Sequence, residues 1–222
     1  IPSLGRICVP LNIRLSTKAL INQINELDVK IIIGDSKIID ELSPLLSQSC
    51  LKVKFSSYRK WCRSFSRGFV IEKPVLNTKD IAWLLFTSGT TGKPKAACIT
   101  HKSLIAGLAS ANQGRPVLHD DCYLYPFPLF HIASHNVLHQ HYKGAAVALL
   151  PSFDADEVLL LCEKQKITSM SLAPTMMTLM LDSPNYHRKK LESVRLIGYG
   201  ASAISPRLLK RVLDEIDCDL SQ

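Results

Sequence analysis

The sequence lacks any apolar run long enough to cross a membrane. Its longest candidates, residues 81–86 and 145–150, have the length of strands, whereas a spanning helix needs roughly 18–20 apolar residues. The first residues, IPSLGRICVPLN, lack an initiator methionine and a charged segment ahead of an apolar one, so we expect no secretory signal there. A start of this kind predicts an internal piece of a longer protein.

The sequence also lacks a pattern that would organise its cysteines. Seven cysteines occur at irregular spacing, and no two of them form a CxxC pair. An odd, scattered set disfavours a disulfide framework or a zinc cluster and is typical of a reducing compartment. We therefore interpret the cysteines as small buried hydrophobic residues and expect a cytoplasmic location.

Acidic residues are in the minority, with 19 Asp and Glu against 27 Lys and Arg and a net charge of +8. The densest basic region, residues 52–67, has aromatic side chains between its cations, a pattern that can bind single-stranded nucleic acid. However, four apolar residues there are spaced i, i+3, i+4 and i+7, which predicts one apolar helix face: Tyr58, Trp61, Cys62 and Phe65. This spacing favours a solvated helix, leaves peripheral contact with an anionic membrane surface open, and disfavours nucleic acid.

Short apolar runs and amphipathic stretches alternate along the 222 residues. Strands are predicted by the runs at 29–33, 81–86, 122–125, 146–150 and 194–197. Helices are predicted by the amphipathic stretches near 17–26, 102–112, 154–165, 174–182 and 206–216. The alternation predicts a layered α/β/α fold with mostly parallel sheets.

A loop rich in glycine and hydroxyl groups, TSGTTGKPK (87–95), follows the apolar run at 81–86. Gly89 and Gly92 let the main chain approach an anion closely, and Lys93 and Lys95 supply positive charge. We expect a helix after the loop, so that strand, loop and helix present N–H groups to a phosphate. The glycines are too close together for a P-loop, GxxxxGK[ST], and no GxGxxG occurs.

The stretch FTSGTTGKPK resembles the phosphate-binding signature of the adenylate-forming superfamily, which includes acyl-CoA synthetases, adenylation domains of peptide synthetases and luciferases. Segments similar to further family motifs follow in the family's order: PLFHIAS (128–134), LAPTM (172–176) and GYGAS (198–202). The resemblance covers residues 1–222. It implies that the chain is part of the large N-terminal domain of such an enzyme, with the C-terminal domain outside it.

The resemblance implies a two-step ligase reaction. A carboxylic acid attacks the α-phosphate of ATP, pyrophosphate leaves, and a thiol such as that of coenzyme A takes the acyl group from acyl-AMP. Mg²⁺ bridges the phosphates, and the loop residues wrap them: Thr87, Ser88, Gly89, Thr90, Thr91, Gly92 and Lys95. By the same resemblance, Gly200, Ala201 and Ser202 lie where adenine and the acyl carboxylate pass the main chain, and Gln222 directly precedes the adenine loop.

Histidine is concentrated around the second motif, where the resemblance places His131 beside the acyl carboxylate as the catalytic residue. A zinc site is the alternative, since His131, His135 and His139 would share a face if they lay on one helix. No HExxH glutamate is present, and Pro128 predicts a turn just before His131. Both observations disfavour zinc, so we interpret His135 and His139 as ordinary helix residues.

The substrate class depends on the same motifs. PLFHIAS and YGAS resemble fatty-acid-activating synthetases more than amino-acid-activating domains, and no aspartate follows His131 where an amino group would be held. We therefore expect a fatty acid as substrate. We also expect little activity from this chain alone, because the adenine loop and the C-terminal domain would lie beyond Gln222. The alternative is a truncated, non-catalytic relative that serves as a nucleotide-binding or scaffold module.

Overall fold

The computed structural model describes residues 2–64, 74–87, 94–200 and 202–222. The chain divides into two compact units, Ile1–Leu76 and Asn77–Gln222. Most of the predicted phosphate loop, residues 88–93, and Ala201 of the third motif lie outside the described residues.

Two short parallel strands and three helices form the described part of the first unit. Along the chain they are α1 (Thr17–Glu26), β1 (Ile31–Gly34), α2 (Ser36–Leu42), β2 (Leu51–Lys54) and α3 (Phe55–Ser64). N-caps begin α1 and α2, where Ser16 accepts a hydrogen bond from the Ala19 N–H and Asp35 accepts one from the Lys37 N–H. Apolar side chains of α1, β1 and α2 then form a small core: Leu20, Ile24, Ile32, Ile39 and Leu42.

The helix predicted in the basic region is present as α3. None of its residues is buried, and Phe55 and Tyr58 are 64% and 40% exposed. Of the predicted apolar face, Trp61 is half-buried, Cys62 is exposed, and Phe65 lies outside the described residues. The helix is therefore confirmed, but its apolar face contributes little to the core.

A hairpin, a five-stranded sheet and five α-helices form the described part of the second unit. In chain order they are β3 (Ile81–Thr87), β4 (Lys95–Thr100), α4 (His101–Gly114), β5 (Cys122–Tyr125), α5 (His135–Tyr142), β6 (Ala146–Leu149), α6 (Ala155–Gln165), β7 (Ser169–Leu172), α7 (Pro174–Leu181), β8 (Leu196–Tyr199), α8 (Pro206–Glu215) and β9 (Asp219–Ser221). The five-stranded sheet is parallel throughout, in the order β6-β5-β7-β8-β9. The predicted α/β fold with mostly parallel sheets is confirmed.

The helix predicted near 102–112 is confirmed as α4, but it does not follow the phosphate loop directly as expected. Residues Lys95–Thr100 form strand β4, which pairs antiparallel with β3, and α4 begins only at His101. Pairing with the apolar strand β3 overrides the high helix propensity of Ala96 and Ala97. Since six strand residues extend roughly 20 Å, the N-terminus of α4 lies at the opposite end of the hairpin, and its N–H groups do not serve the loop.

A capping box begins α4. Thr100 Oγ1 accepts a hydrogen bond from the Ser103 N–H at 3.2 Å, and Ser103 Oγ accepts one from the Thr100 N–H at 3.0 Å. Because Thr100→Ala removes half of the box, we expect the free energy of unfolding, measured with denaturant, to fall by about 1 kcal/mol. Ser110→Ala, at an exposed site on the same helix, is expected to change it by less than about 0.5 kcal/mol. Equal effects would show that the box does not stabilise the helix.

Along each strand of the five-stranded sheet, successive side chains point to opposite faces of the sheet. On one side, sheet residues and helices α6, α7 and α8 form the main core: Leu124, Met170, Ile197, Val158, Met177 and Val212. On the other side, Tyr123, Ser171 and Gly198 face α5 and the end of α4. Helices therefore cover both faces of the sheet, and the two faces differ in polarity.

Three residues that directly precede parallel strands connect the starts of those strands. Asp121 precedes β5, Thr168 precedes β7 and Arg195 precedes β8. Thr168 Oγ1 and Arg195 Nε donate to Asp121 Oδ1 at 2.6 and 3.0 Å, and Arg195 Nη2 pairs with Asp121 Oδ2. The Leu118 N–H adds a further bond to Asp121 Oδ2 at 2.7 Å. This buried ion pair, which the sequence analysis did not predict, holds the sheet at its amino edge.

The seven cysteines do not share one environment. Burial is confirmed for Cys50 and Cys162, whereas the prediction is wrong for Cys62 and Cys98, which are exposed. Burial raises the pKa of Cys162 to about 12, so this thiol stays protonated. Within the described ranges, no helix combines the length and apolarity that crossing a membrane would require.

Candidate functional site

Four of the predicted site residues follow strands of the five-stranded sheet. His131 lies in the segment after β5, Gly200 and Ser202 follow β8, and Gln222 follows β9. Because these strands are parallel, their carboxyl ends meet at one edge of the sheet. The topology therefore brings the four residues to the edge at which open α/β sheets bind their ligands.

The segment that carries His131 is fixed to the end of β5. The Tyr125 hydroxyl and the His131 N–H both donate to the Pro128 carbonyl, at 3.1 and 3.2 Å. The Ser134 hydroxyl and N–H donate to the His131 carbonyl at 2.7 and 3.0 Å. The His131 side chain is exposed, with its ring centroid 4.6 Å from that of Phe130. An accessible imidazole on a fixed main chain can meet the carboxylate of a substrate.

The three histidines of the zinc alternative do not share a helix. His131 precedes α5, which begins at His135. His135 packs against Gly107, and His139 Nε2 lies 3.4 Å from Asn112 Oδ1. Burial lowers the pKa of both His135 and His139, which keeps these imidazoles neutral at physiological pH. His135 and His139 are helix residues, as predicted; His139 is buried and His135 is half-buried.

Gly200 borders open space at the carboxyl edge. Apart from its chain neighbours, no atom of the described residues lies within 4 Å of a Cβ added there. Its φ is not in the left-handed region, so glycine is not required there by the backbone conformation. Ser202 is exposed beside it. The missing side chain at Gly200 leaves room in which a ligand can lie against the main chain.

Two residues at the ends of the predicted phosphate loop are described. Thr87 and Lys95 pair across the open end of the hairpin, where Thr87 Oγ1 donates to the Lys95 carbonyl at 3.2 Å. Both side chains are exposed, so the Lys95 ammonium is available to an anion. The other predicted loop residues lie outside the described part of the chain: Ser88, Gly89, Thr90, Thr91 and Gly92.

A polar cavity on the α5 side of the sheet was not predicted from the sequence. Its polar lining includes Arg115, Asn136, Gln140, Ser169 and Ser171. The alternation of serine with apolar residues in β7, SMSL (169–172), was an available signal that one face of this strand is polar. Arg115 and Asn136 belong to no sequence pattern, because they reach the cavity only through the packing of α4 and α5 on the sheet.

Comparison with known proteins decides the family. The family model described as AMP-binding enzyme matches residues 1–222. The chain belongs to the AMP-binding enzyme family. Its relatives in this family include 4-coumarate–CoA ligase 3 of Arabidopsis thaliana, which is 31% identical over 218 residues, covering 92% of this chain and 39% of that protein. The predicted resemblance is therefore confirmed, and the chain spans about two fifths of the length of this relative.

The names of the relatives do not all contain the same acid. The medium/long-chain-fatty-acid–CoA ligase FadD8 of Mycobacterium tuberculosis is 36% identical over 129 residues, which are 57% of this chain and 22% of that ligase. Among solved structures, the inhibitor-bound N-terminal domain of FACL13 from Mycobacterium tuberculosis superposes with a TM-score of 0.83 at 22% identity, covering 99% of this chain and 57% of that one. ATP-bound MatB from Rhodopseudomonas palustris gives 0.81 at 20% identity, covering 99% and 45%. These superpositions establish the fold.

Proposed function

We propose that the complete protein containing this chain activates a carboxylic acid with ATP and transfers the acyl group to a thiol such as coenzyme A. A carboxylate oxygen bonds to the α-phosphorus of ATP, the bond from that phosphorus to the bridging oxygen breaks, and pyrophosphate leaves. The thiol sulfur then bonds to the acyl carbon, and AMP leaves. The observation that carries the proposal is the convergence of His131, Gly200, Ser202 and Gln222 at one sheet edge in an AMP-binding enzyme.

The first step brings two anions together, so the site has to supply positive charge and hydrogen-bond donors. In the proposal, the loop at 87–92 and Lys95 hold the phosphates that leave, and His131 orients the attacking carboxylate. The space beside Gly200 admits the adenylate against the main chain. Mg²⁺ is commonly bound through substrate phosphates with one or two carboxylates, and in the proposal it would accompany ATP.

We further propose that the acid that is activated is a fatty acid. The motifs at 128–134 and 198–202 favour a fatty acid, while the names of the relatives include both a coumarate ligase and a fatty-acid ligase. ATP–pyrophosphate exchange by the complete gene product, measured with a panel of carboxylic acids, tests the proposal. Acid-dependent exchange supports it, whereas ATP binding without exchange for any acid supports the alternative of a non-catalytic nucleotide-binding module.

Lys95→Ala is expected to slow acid-dependent exchange roughly 10- to 100-fold, because a charge-assisted hydrogen bond to a phosphate contributes about 1.5–3 kcal/mol. The measurement is kcat/KM for ATP in the exchange reaction. Lys164→Ala, which removes an exposed lysine from α6, is the matched control and is expected to leave the rate unchanged. If both variants exchange at the wild-type rate, Lys95 does not hold the phosphates.

A further inference from the structure

The first unit carries most of the positive charge of the chain. Residues 1–76 contain 12 of the 27 Lys and Arg but only 6 of the 19 Asp and Glu, so this unit supplies +6 of the net charge of +8. Charge that is concentrated in one part of a protein indicates a partner of opposite charge, such as an anionic membrane or a nucleic acid. The arrangement of the cations on the unit then indicates which of these partners it can bind.

Three of these cations lie on α3, which contains no acidic residue: Arg59, Lys60 and Arg63. All three side chains are exposed, and none forms an ion pair with a carboxylate of the described residues. The ion pairs of this unit are formed by lysines outside α3, Lys30 with Asp28 and Lys54 with Asp40. The positive charge of α3 is therefore not neutralised within the described part of the unit.

Apolar side chains of α3 lie on one face of the helix. Phe55, Tyr58 and Cys62 are spaced i, i+3 and i+7, and all three are exposed, Phe55 to 64% and Tyr58 to 40%. A surface helix of a globular protein typically packs such a face against the core, yet the structure buries no residue of α3. The described residues thus leave an apolar surface uncovered, and such surfaces mark sites that bind a protein or a membrane.

Two arginines border this apolar face. Arg59 lies four positions after Phe55 and three before Cys62, and Arg63 lies four positions after Arg59. Residues three or four positions apart are neighbours on a helix surface, so the guanidinium groups form a row along the margin of the face. This arrangement is typical of helices that lie in the plane of a membrane surface, with apolar side chains toward the acyl chains and cations at the headgroups.

The helix is attached to the rest of the unit before any partner binds. It follows β2 without an intervening residue, and Ser56 Oγ lies 3.0 Å from Ser36 Oγ at the start of α2. Trp61 is half-buried, and its ring centroid lies 5.9 Å from that of Tyr58. Because the helix is already formed and attached, little conformational entropy has to be lost when it binds.

We propose that α3 binds the protein to the surface of an anionic phospholipid bilayer, with Phe55 and Tyr58 in the headgroup region and the three cations of the helix on lipid phosphates. A helix of ten residues is roughly 15 Å long, so it lies on the bilayer and does not cross it. A nucleic acid could pair with the cations, but it would not bury a continuous apolar face as a bilayer does. Membrane binding of this kind is independent of the proposed reaction.

Sedimentation of the complete gene product with sucrose-loaded vesicles tests this inference. Vesicles of phosphatidylcholine with about 30% phosphatidylserine are compared with vesicles of phosphatidylcholine alone, at about 0.1 M salt and without ATP or acid. We expect the partition coefficient for the anionic vesicles to exceed that for the neutral vesicles by at least about tenfold. Equal binding to both kinds of vesicle, or binding to neither, would overturn the inference.

Variants of α3 separate the contribution of its charge from that of its apolar face. Arg59→Gln combined with Arg63→Gln is expected to lower partitioning into the anionic vesicles by about 10- to 30-fold. Phe55→Ala is expected to lower it by about 3- to 10-fold, because less apolar surface is removed from water. Vesicle binding by both variants at the wild-type level would show that α3 is not the binding surface.

Matched controls remove similar groups from other helices. Arg207→Gln with Lys210→Gln removes two exposed cations from α8, and Tyr142→Ala removes an aromatic side chain of α5 that is 61% exposed. Both controls are expected to leave partitioning unchanged. The α3 variants are expected to retain the wild-type melting temperature, since every substituted side chain is exposed.

Two further measurements separate the alternatives. ATP–pyrophosphate exchange without vesicles is expected to be equal in the wild type and the α3 variants, so membrane binding and the proposed reaction are tested independently. Binding of an oligothymidylate is measured with the same variants. Oligothymidylate binding that depends on Arg59 and Arg63 but not on Phe55, together with no binding to anionic vesicles, would assign the surface to nucleic acid and overturn the membrane inference.

Discussion

Asp121→Ala is expected to lower the free energy of unfolding by about 3 kcal/mol. Breaking a buried ion pair by removing one partner costs about 3–5 kcal/mol, and the lower value applies because the Arg195 side chain is 34% exposed. The Asp121 side chain is 2% exposed and accepts hydrogen bonds from Arg195, Thr168 and Leu118. Its removal takes the carboxylate partner away from the Arg195 guanidinium, the Thr168 hydroxyl and the Leu118 N–H.

Denaturant unfolding of the variant checks this expectation. Asp120→Ala is the matched control, because Asp120 adjoins Asp121 in sequence but its side chain is 74% exposed, with Oδ1 3.7 Å from His119 Nδ1. We expect the control to change the free energy of unfolding by less than about 0.5 kcal/mol. A loss in Asp121→Ala no greater than in the control would mean that the ion pair does not stabilise the sheet.

The same carboxylate makes stability depend on pH. Burial by itself raises the pKa of Asp121, but the hydrogen bonds from Arg195, Thr168 and Leu118 outweigh burial and hold that pKa below its ordinary value of 3.8. The contribution of Asp121 is therefore complete above about pH 4 and is lost as the pH falls through the lowered pKa. Unfolding measured between pH 5 and 2.5 is expected to show a shallower decline in Asp121→Asn than in the wild type.

Gly200→Val is expected to reduce acid-dependent ATP–pyrophosphate exchange about 100-fold or more without lowering the melting temperature. Among the described residues, apart from its chain neighbours, no atom lies within 4 Å of a Cβ added at Gly200, so we expect the fold to tolerate the new side chain. If the adenylate lies in that space, the valine methyl groups displace it, and displacement of reacting groups by about 1 Å can cost 100-fold in rate. Loss of exchange with unchanged stability would therefore locate the ligand at the carboxyl edge.

Ala109→Val, which adds a branched side chain at an exposed site on α4, is the control for Gly200→Val and is expected to retain the exchange rate. Wild-type exchange by Gly200→Val would place the adenylate elsewhere. The melting temperature of each variant is measured by circular dichroism alongside the exchange assay. If Gly200→Val lowers both stability and exchange, misfolding accounts for the lower rate, and the smaller substitution Gly200→Ala is then tested in the same way.

Local sequence patterns were enough to establish the α/β class and the order of the site segments. Hydrophobic periodicity is a local property, so the runs at 81–86 and 122–125 predicted β3 and β5, and the amphipathic stretch near 154–165 predicted α6. The segments at 128–134 and 198–202 were recognised in the same way, from contiguous residues. Parallel pairing then necessarily places the segments after β5 and β8 at one edge of the sheet.

Features that depend on pairing between distant segments required the tertiary structure. Strand β4 has alanine-rich sequence and is a strand only because β3 lies beside it, and β9, with three residues, is too short for periodicity to reveal. Asp121 meets Arg195 across 74 positions of sequence, and Arg115 reaches the cavity because Gly198 leaves space on β8. The order of residues within an element sets which of its faces is apolar, whereas strand register and helix packing set which polar groups meet.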